Sequence, residues 1–134
     1  QYVEKLIPKT IKYLNLDKKI PLHNGGTPIR NWLHAQDTAD AVITIIESKV
    51  KNEIFNICGG FEQRNLDTVN KIVILYHKNK DVGNYLDLDI VRRGQDVRYA
   101  LNDEKLRSLG WKSKMIFDKE LPFILDYYKE RFIW

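Results

Sequence analysis

Pro21-Leu22-His23-Asn24-Gly25-Gly26-Thr27-Pro28-Ile29-Arg30-Asn31-Trp32-Leu33-His34 decides the reading of this chain. A short extended piece, 20–23, runs into Asn-Gly-Gly, a turn signal. Beyond the turn, 29–35 reads as a strand, with Arg30 near its start. A guanidinium anchored at such a junction can face outward, and its planar fork matches two phosphate oxygens at once. By itself Arg30 reads as a solvated arginine beside a turn, as most arginines are. The arginine-rich loop 92–98 offers a second cation and makes a two-sided anion clamp worth considering.

Working outward, residues 3–16 place Val3, Leu6, Ile7, Ile11 and Leu14 at helical spacing, with Pro8 early enough to be tolerated. Asp37 reads as an N-cap with Asp40 three residues on, opening a helix whose apolar face is Ala39, Val42, Ile43 and Ile46. The apolar run 53–58, closed by Gly59-Gly60, predicts a buried strand. Asn65 is the expected cap of a helix with Leu66, Val69, Ile72, Val73 and Tyr76 inward. Residues 87–91 form another strand candidate, and 92–98 a polar loop around Gly94. Asn102 caps a short helix that stops at Gly110, after which Trp111 packs back. A last helix, 118–131, carries Leu121, Ile124, Leu125 and Tyr128 inward, with Pro122 near its start. Helices alternating with strands give an α/β class. About five helices and only a few short strands predict a single small lobe, 1–134, that sits against a larger neighbour.

The bulk numbers narrow the field. With 134 residues and 43% hydrophobic content the chain can bury one core. No run approaches the roughly 20 apolar residues of a spanning helix. No signal peptide is visible, so a cytoplasmic setting is expected. Position 1 is Gln rather than Met, which suggests a piece of a longer or processed chain. The net charge of +4 is spread among interspersed acids and bases, compatible with a small anionic ligand. No nucleic-acid motif accompanies it. Cys58, the single cysteine, excludes an internal disulfide and a cysteine-based zinc site, and reads as a small core residue. His34 and His77 lack companions at metal-ligand spacing, so no metal is expected. Asp37 and Asp40 are explained by capping more simply than by acid–base chemistry. Asn56, a polar residue inside an apolar run, needs a partner if buried and is as ready to cap a turn as to meet a ligand.

Five segments support a resemblance: 4–8, 21–32, 54–60, 92–100 and Leu109-Gly110-Trp111. Together they resemble the C-terminal part of the dTDP-glucose 4,6-dehydratases, NAD-dependent lyases of the extended short-chain dehydrogenase/reductase superfamily. The resemblance implies a nucleotide-sugar-binding lobe, with NAD and the catalytic Tyr-x-x-x-Lys pair held by an N-terminal Rossmann domain. Neither a Gly-rich dinucleotide loop nor that pair in a suitable context stands in this sequence. No catalytic residue and no cofactor site are therefore expected here, and the chain alone is expected to be inactive. In the whole enzyme the resemblance implies hydride removal from C4 of the sugar, loss of water across C5 and C6, and hydride return to C6. Carried over by position, Glu4, Lys5, Leu6, Ile7, Pro8 and Lys9, with Pro21, Leu22 and His23, line the nucleotide site. Arg30 grips the diphosphate, Asn56 meets the ligand from a strand end, and Arg92 with Gln95 and Asp96 closes the other side.

The chain departs from the family at Val91, Arg93, Gln95 and Val97, where the family usually has Asp, Pro, His and Arg. His23 and Asn24 replace a usual tyrosine and glycine, and Asn31 an acidic residue. These changes keep two alternatives open: the matching lobe of a UDP-sugar epimerase or decarboxylase, and a stand-alone, non-enzymatic binding module. The expected partners are a dTDP-sugar or related nucleotide sugar and the Rossmann neighbour. Without that neighbour, exposed apolar surface is expected to drive self-association.

Overall fold

The computed structural model describes residues 1–78 and 81–131. Helix α1 (Leu6–Asn15) leads through β1 (Ile20–Pro21) and a 3₁₀ turn (His23–Gly26) into β2 (Ile29–Trp32). Helix α2 (Ala35–Glu47), β3 (Phe61–Arg64) and α3 (Asn65–His77) follow, then β4 (Leu86–Asp87), α4 (Glu104–Arg107) and α5 (Phe117–Lys129). β1 pairs with β4 in parallel, Ile20 opposite Leu86. β2 pairs with β3 antiparallel, Ile29 opposite Arg64 and Trp32 opposite Phe61. Ile29 makes a further parallel bridge to Arg98. Both sheets have two strands, so the α/β class holds with helices dominant.

The main core forms where α1, α3 and α5 meet. Ile11, Val69 and Ile72 are fully buried there, with Ile7, Leu14, Val73, Leu121 and Leu125 around them. β1 adds Ile20, and Leu22 follows it into the same cluster. The helical spacing in these three segments matches what is buried. Pro122 lies inside α5 but only five residues after its first residue, so one missing N–H interrupts little of the helix.

A second, smaller core gathers Ala41, Leu106 and Trp111. Here the structure differs from the sequence expectation. The N-cap of α2 is His34, whose Nδ1 accepts from the Gln36 N–H at 3.1 Å; Asp37 lies inside the helix. Asp37 is only 2% exposed, and its carboxylate accepts from the Lys114 and Met115 N–H groups at 2.9 and 3.2 Å. The inward line of α2 is therefore Asp37, Ala41 and Ile45, a line that apolar periodicity scores as broken. Val42, Ile43 and Ile46, expected inward, are 45%, 51% and 70% exposed, and Ala39 is exposed as well.

Segment 53–58 is likewise not a buried strand. It makes no ladder with any described strand, and Ile54 is 87% exposed. Asn65 is the first residue of α3, and Arg64 is its N-cap. The strand expected at 29–35 stops at Trp32, and that expected at 87–91 is the two-residue β4. β3 was not expected; Phe-Glu-Gln-Arg carries no alternation that announces a strand, and its pairing with β2 makes it one. Asn102 does receive the Glu104 N–H at 2.8 Å, although Asp103 is the N-cap residue, and Trp111 is buried against Ala41 and Leu106.

No helix among the described residues is long and apolar enough to cross a membrane.

Candidate functional site

Arg30 projects from β2 toward loop 91–99. Its Nη1 donates to the Ile29 carbonyl at 2.7 Å and to the Asp96 carbonyl at 3.2 Å; Nη2 donates to the same Asp96 oxygen at 3.2 Å. The guanidinium lies over the Tyr99 ring, 4.3 Å from its centroid. A guanidinium carries five N–H groups. Nε and one Nη2 hydrogen thus keep their donor capacity while the rest of the fork is fixed.

Tyr99 closes the cluster. Its hydroxyl donates to Asp96 Oδ2 at 2.7 Å. That bond and the Asp96 charge hold the phenol above its ordinary value, while the positive charges of Arg30 and Arg92 pull the other way. Arg92, on the same loop as Tyr99, is exposed.

What joins the two loops is Asn24. It stands in the left-handed region at φ 53°, where Asn is better tolerated than most residues. Its N–H donates to the Ile90 carbonyl at 2.7 Å. Its side-chain Oδ1 accepts from the Arg92 N–H at 2.9 Å, and Nδ2 donates to the Arg92 carbonyl at 3.1 Å and to Gln95 Oε1 at 3.0 Å. Gly26 lets the same turn settle on α3, since a Cβ there would stand 2.9 Å from the Leu66 Cβ. The Ile29 N–H reaches the Val97 carbonyl at 2.8 Å and completes the seam.

Of the residues singled out from the sequence, Arg30, Arg92, Gln95 and Asp96 come together in this cluster. His23 lies half-buried in the turn beside Asn24. Ile7, Pro8 and Leu22 are buried in the core, so a ligand reaches them only through backbone atoms. Glu4 and Lys5 are exposed at the entry to α1, with Leu6 and Lys9 half-buried on that helix and Pro21 half-buried in β1. Asn56 goes elsewhere: its Nδ2 donates to the Asn102 carbonyl at 3.1 Å, beside α4. Arg98, an alternative to Arg92 for the second cation, is committed to Glu62, with Nη2–Oε2 at 2.7 Å and Nε–Oε2 at 3.0 Å. The cluster's organiser, Asn24, was legible only as part of a turn; the signal was an Asn directly before two glycines.

A cavity of about 670 Å³ lies apart from this cluster, between the end of β2, the start of α2 and α5. Trp32, Phe61, Met115, Phe117, Phe123 and Ile124 give it an apolar wall. Among the described residues no arginine or lysine lines it.

Neither glycine pair forms a dinucleotide-binding loop. Gly25-Gly26 sits in a turn that leads to β2, and Gly59-Gly60 leads to β3, whereas such a loop opens a helix after a strand. A Cβ on Gly59 would run into the Trp32 carbonyl, so its role is close backbone packing.

Residues 1–58 match the NAD dependent epimerase/dehydratase family. The chain is 31% identical to a dTDP-D-glucose 4,6-dehydratase of Bos taurus over 98% of its own length and 38% of the relative's. It is also 31% identical, over its full length, to 20% of a trifunctional UDP-glucose 4,6-dehydratase/UDP-4-keto-6-deoxy-D-glucose 3,5-epimerase/UDP-4-keto-L-rhamnose-reductase of Arabidopsis thaliana. A solved dTDP-glucose 4,6-dehydratase from Streptomyces venezuelae, with NAD and TYD bound, superposes with a TM-score of 0.85 at 28% identity, over 98% of this chain and 40% of that one. The chain spans about two fifths of the length of the curated relatives it matches first. It is similar along its whole length to dTDP-glucose 4,6-dehydratases, and its fold matches their C-terminal part.

Proposed function

We propose that this chain is the nucleotide-sugar-binding part of a dTDP-glucose 4,6-dehydratase-like lyase, and that Arg30 and Arg92 hold the diphosphate. The observation that carries this reading is the Arg30 guanidinium fixed over the Tyr99 ring by the Ile29 and Asp96 carbonyls, beside a loop whose Arg92 backbone the Asn24 side chain holds. A diphosphate needs donors that do not have to be ordered when it arrives. Arg30 supplies its remaining N–H groups for bidentate contact, and exposed Arg92 approaches from the facing loop. Exposed Glu4 and Lys5, with His23, are the groups nearest in role to nucleoside contacts. Asn56 gives one Nδ2 hydrogen to the Asn102 carbonyl and keeps its other N–H and its Oδ1 for a ligand.

This part supplies binding and orientation rather than proton or hydride transfer. Binding energy from a diphosphate remote from the reacting carbons still lowers the barrier by positioning the sugar. The reacting half is then a neighbouring domain, and the chain has a face suited to one. Val42, Ile43, Ile46 and Ile54 are exposed, and segment 53–57 joins no ladder among the described residues. An extended segment outside any ladder and an apolar helix face are what one edge of an α/β sheet accepts. The Rossmann neighbour implied by the relatives' greater length is the partner assigned to that face.

The test is calorimetric titration of dTDP into the chain, beside Arg30→Ala. Saturable binding that the substitution abolishes supports the reading; equal binding by both proteins removes Arg30 from it. A second reading, the same lobe in a UDP-sugar enzyme, is favoured by the equal identity to the plant relative. UDP binding more tightly than dTDP selects that reading.

A further inference from the structure

Asn24 uses both ends of its side-chain amide on one residue of the facing loop. Oδ1 takes the Arg92 N–H at 2.9 Å while Nδ2 gives to the Arg92 carbonyl at 3.1 Å. The pair mimics a rung of β-ladder, with a side chain standing in for a strand. Fixing the N–H and the carbonyl of one residue fixes the backbone on both sides of its Cα, and so the direction in which its Cβ leaves. The third contact, Nδ2 to Gln95 Oε1 at 3.0 Å, holds the loop beyond Gly94, whose φ of 69° makes it the natural hinge. The Arg92 side chain itself is exposed.

We infer that Asn24 is a positioning residue: it sets Arg92 opposite Arg30, so that the two cations stand ready at one diphosphate. The inference rests on the diphosphate reading of the Arg30 cluster and goes beyond it, since it assigns the pre-organisation to a residue that touches no ligand. Its physical content is entropic. A loop already held in the bound shape loses little freedom on binding; a loop released at Gly94 must be ordered by the ligand. Gln95 shares the role as the second anchor of the same amide.

Three variants separate this role from others. Asn24→Gly accepts the left-handed backbone without strain and deletes every side-chain bond. Asn24→Asp keeps the acceptor for the Arg92 N–H and loses the donor. Arg30→Ala tests the site itself. The readouts are dTDP affinity, amide hydrogen exchange at Arg92 and the thermal midpoint. We expect Asn24→Gly to melt as the parent does, to lose protection at the Arg92 amide, and to bind dTDP about tenfold more weakly, or 1.4 kcal/mol. Asn24→Asp should recover the amide protection and part of the affinity. If Arg30→Ala abolishes binding while Asn24→Gly binds as the parent does, the positioning role is wrong and the diphosphate site stands. If the parent chain binds no dTDP, the site reading fails in this chain. The latch is then judged on exchange alone: unchanged Arg92 protection in Asn24→Gly overturns it, and lost protection upholds it.

Discussion

The α1–α3–α5 core and the α2 region show the same kind of apolar periodicity and put it to opposite uses. In the first, Ile11, Val69 and Ile72 are fully buried, and three helices cover one another. In the second, the most apolar face of α2 looks outward, and burial falls on Asp37 and Ala41. A hydrophobic stripe reports a surface that needs covering. It does not say whether the cover lies in the same chain. The first region buries its inward lines within the chain; in the second, Val42, Ile43 and Ile46 of α2 are exposed, as is Ile54 of the extended segment 53–57.

The contrast breaks most readily on stability. Ile72→Ala should cost about 2–5 kcal/mol, since it empties a close-packed site, whereas Ile46→Ser should stay within about 0.5 kcal/mol of the parent. Urea unfolding midpoints compare the two. A comparable loss in Ile46→Ser would mean that α2 is covered after all. Next in size is Asp37. Removing its carboxylate in Asp37→Ala leaves the Lys114 and Met115 N–H groups without a partner, at a cost of about 1–3 kcal/mol. Asp37→Asn keeps an acceptor oxygen and should recover much of it; equal losses in the two variants would show that the charge, not the acceptor, matters.

Association sharpens the comparison without changing stability. Ile46→Lys with Ile54→Lys should shift the sedimentation of concentrated protein toward monomer, while Asp126→Lys on the exposed side of α5 should not. Loss of association from the α5 change alone would move the sticky surface elsewhere. The smallest effect concerns Tyr99. Its phenol is held above the ordinary tyrosine value by the bond to Asp96, so Asp96→Ala should move its ionisation midpoint to lower pH in an ultraviolet titration. A folded-state value raised in this way favours folding below the ordinary tyrosine pKa. That contribution is lost as the pH climbs through the raised value.

How much of this was legible in the sequence varies by region for a physical reason. The helices of the main core could be read because their partners are other parts of the same chain. Their inward lines, Val69-Ile72-Val73 and Leu121-Ile124-Leu125, are the ones the structure buries or packs. β3 could not be read because its strand character comes from the register with β2 and not from its own residues. Asp37 misled because a carboxylate that serves two backbone N–H groups at long range looks, in sequence, like a local cap. At the candidate site, Arg30, Arg92, Gln95 and Asp96 could be picked out. That Asn24 would knit them together could not, since its partners lie 68 and 71 positions away. Asn56 lies in a segment that joins no ladder among the described residues, and its amide donates to the Asn102 carbonyl.

The account's central claim is that Arg30 belongs to a diphosphate site built into this chain. Its most direct test is the NMR spectrum of the arginine side-chain Nε–H groups during a dTDP titration. The account expects the Arg30 and Arg92 signals to shift together and saturate, with Arg98, held by Glu62, unmoved. A titration in which Arg98 shifts and Arg30 does not would contradict it.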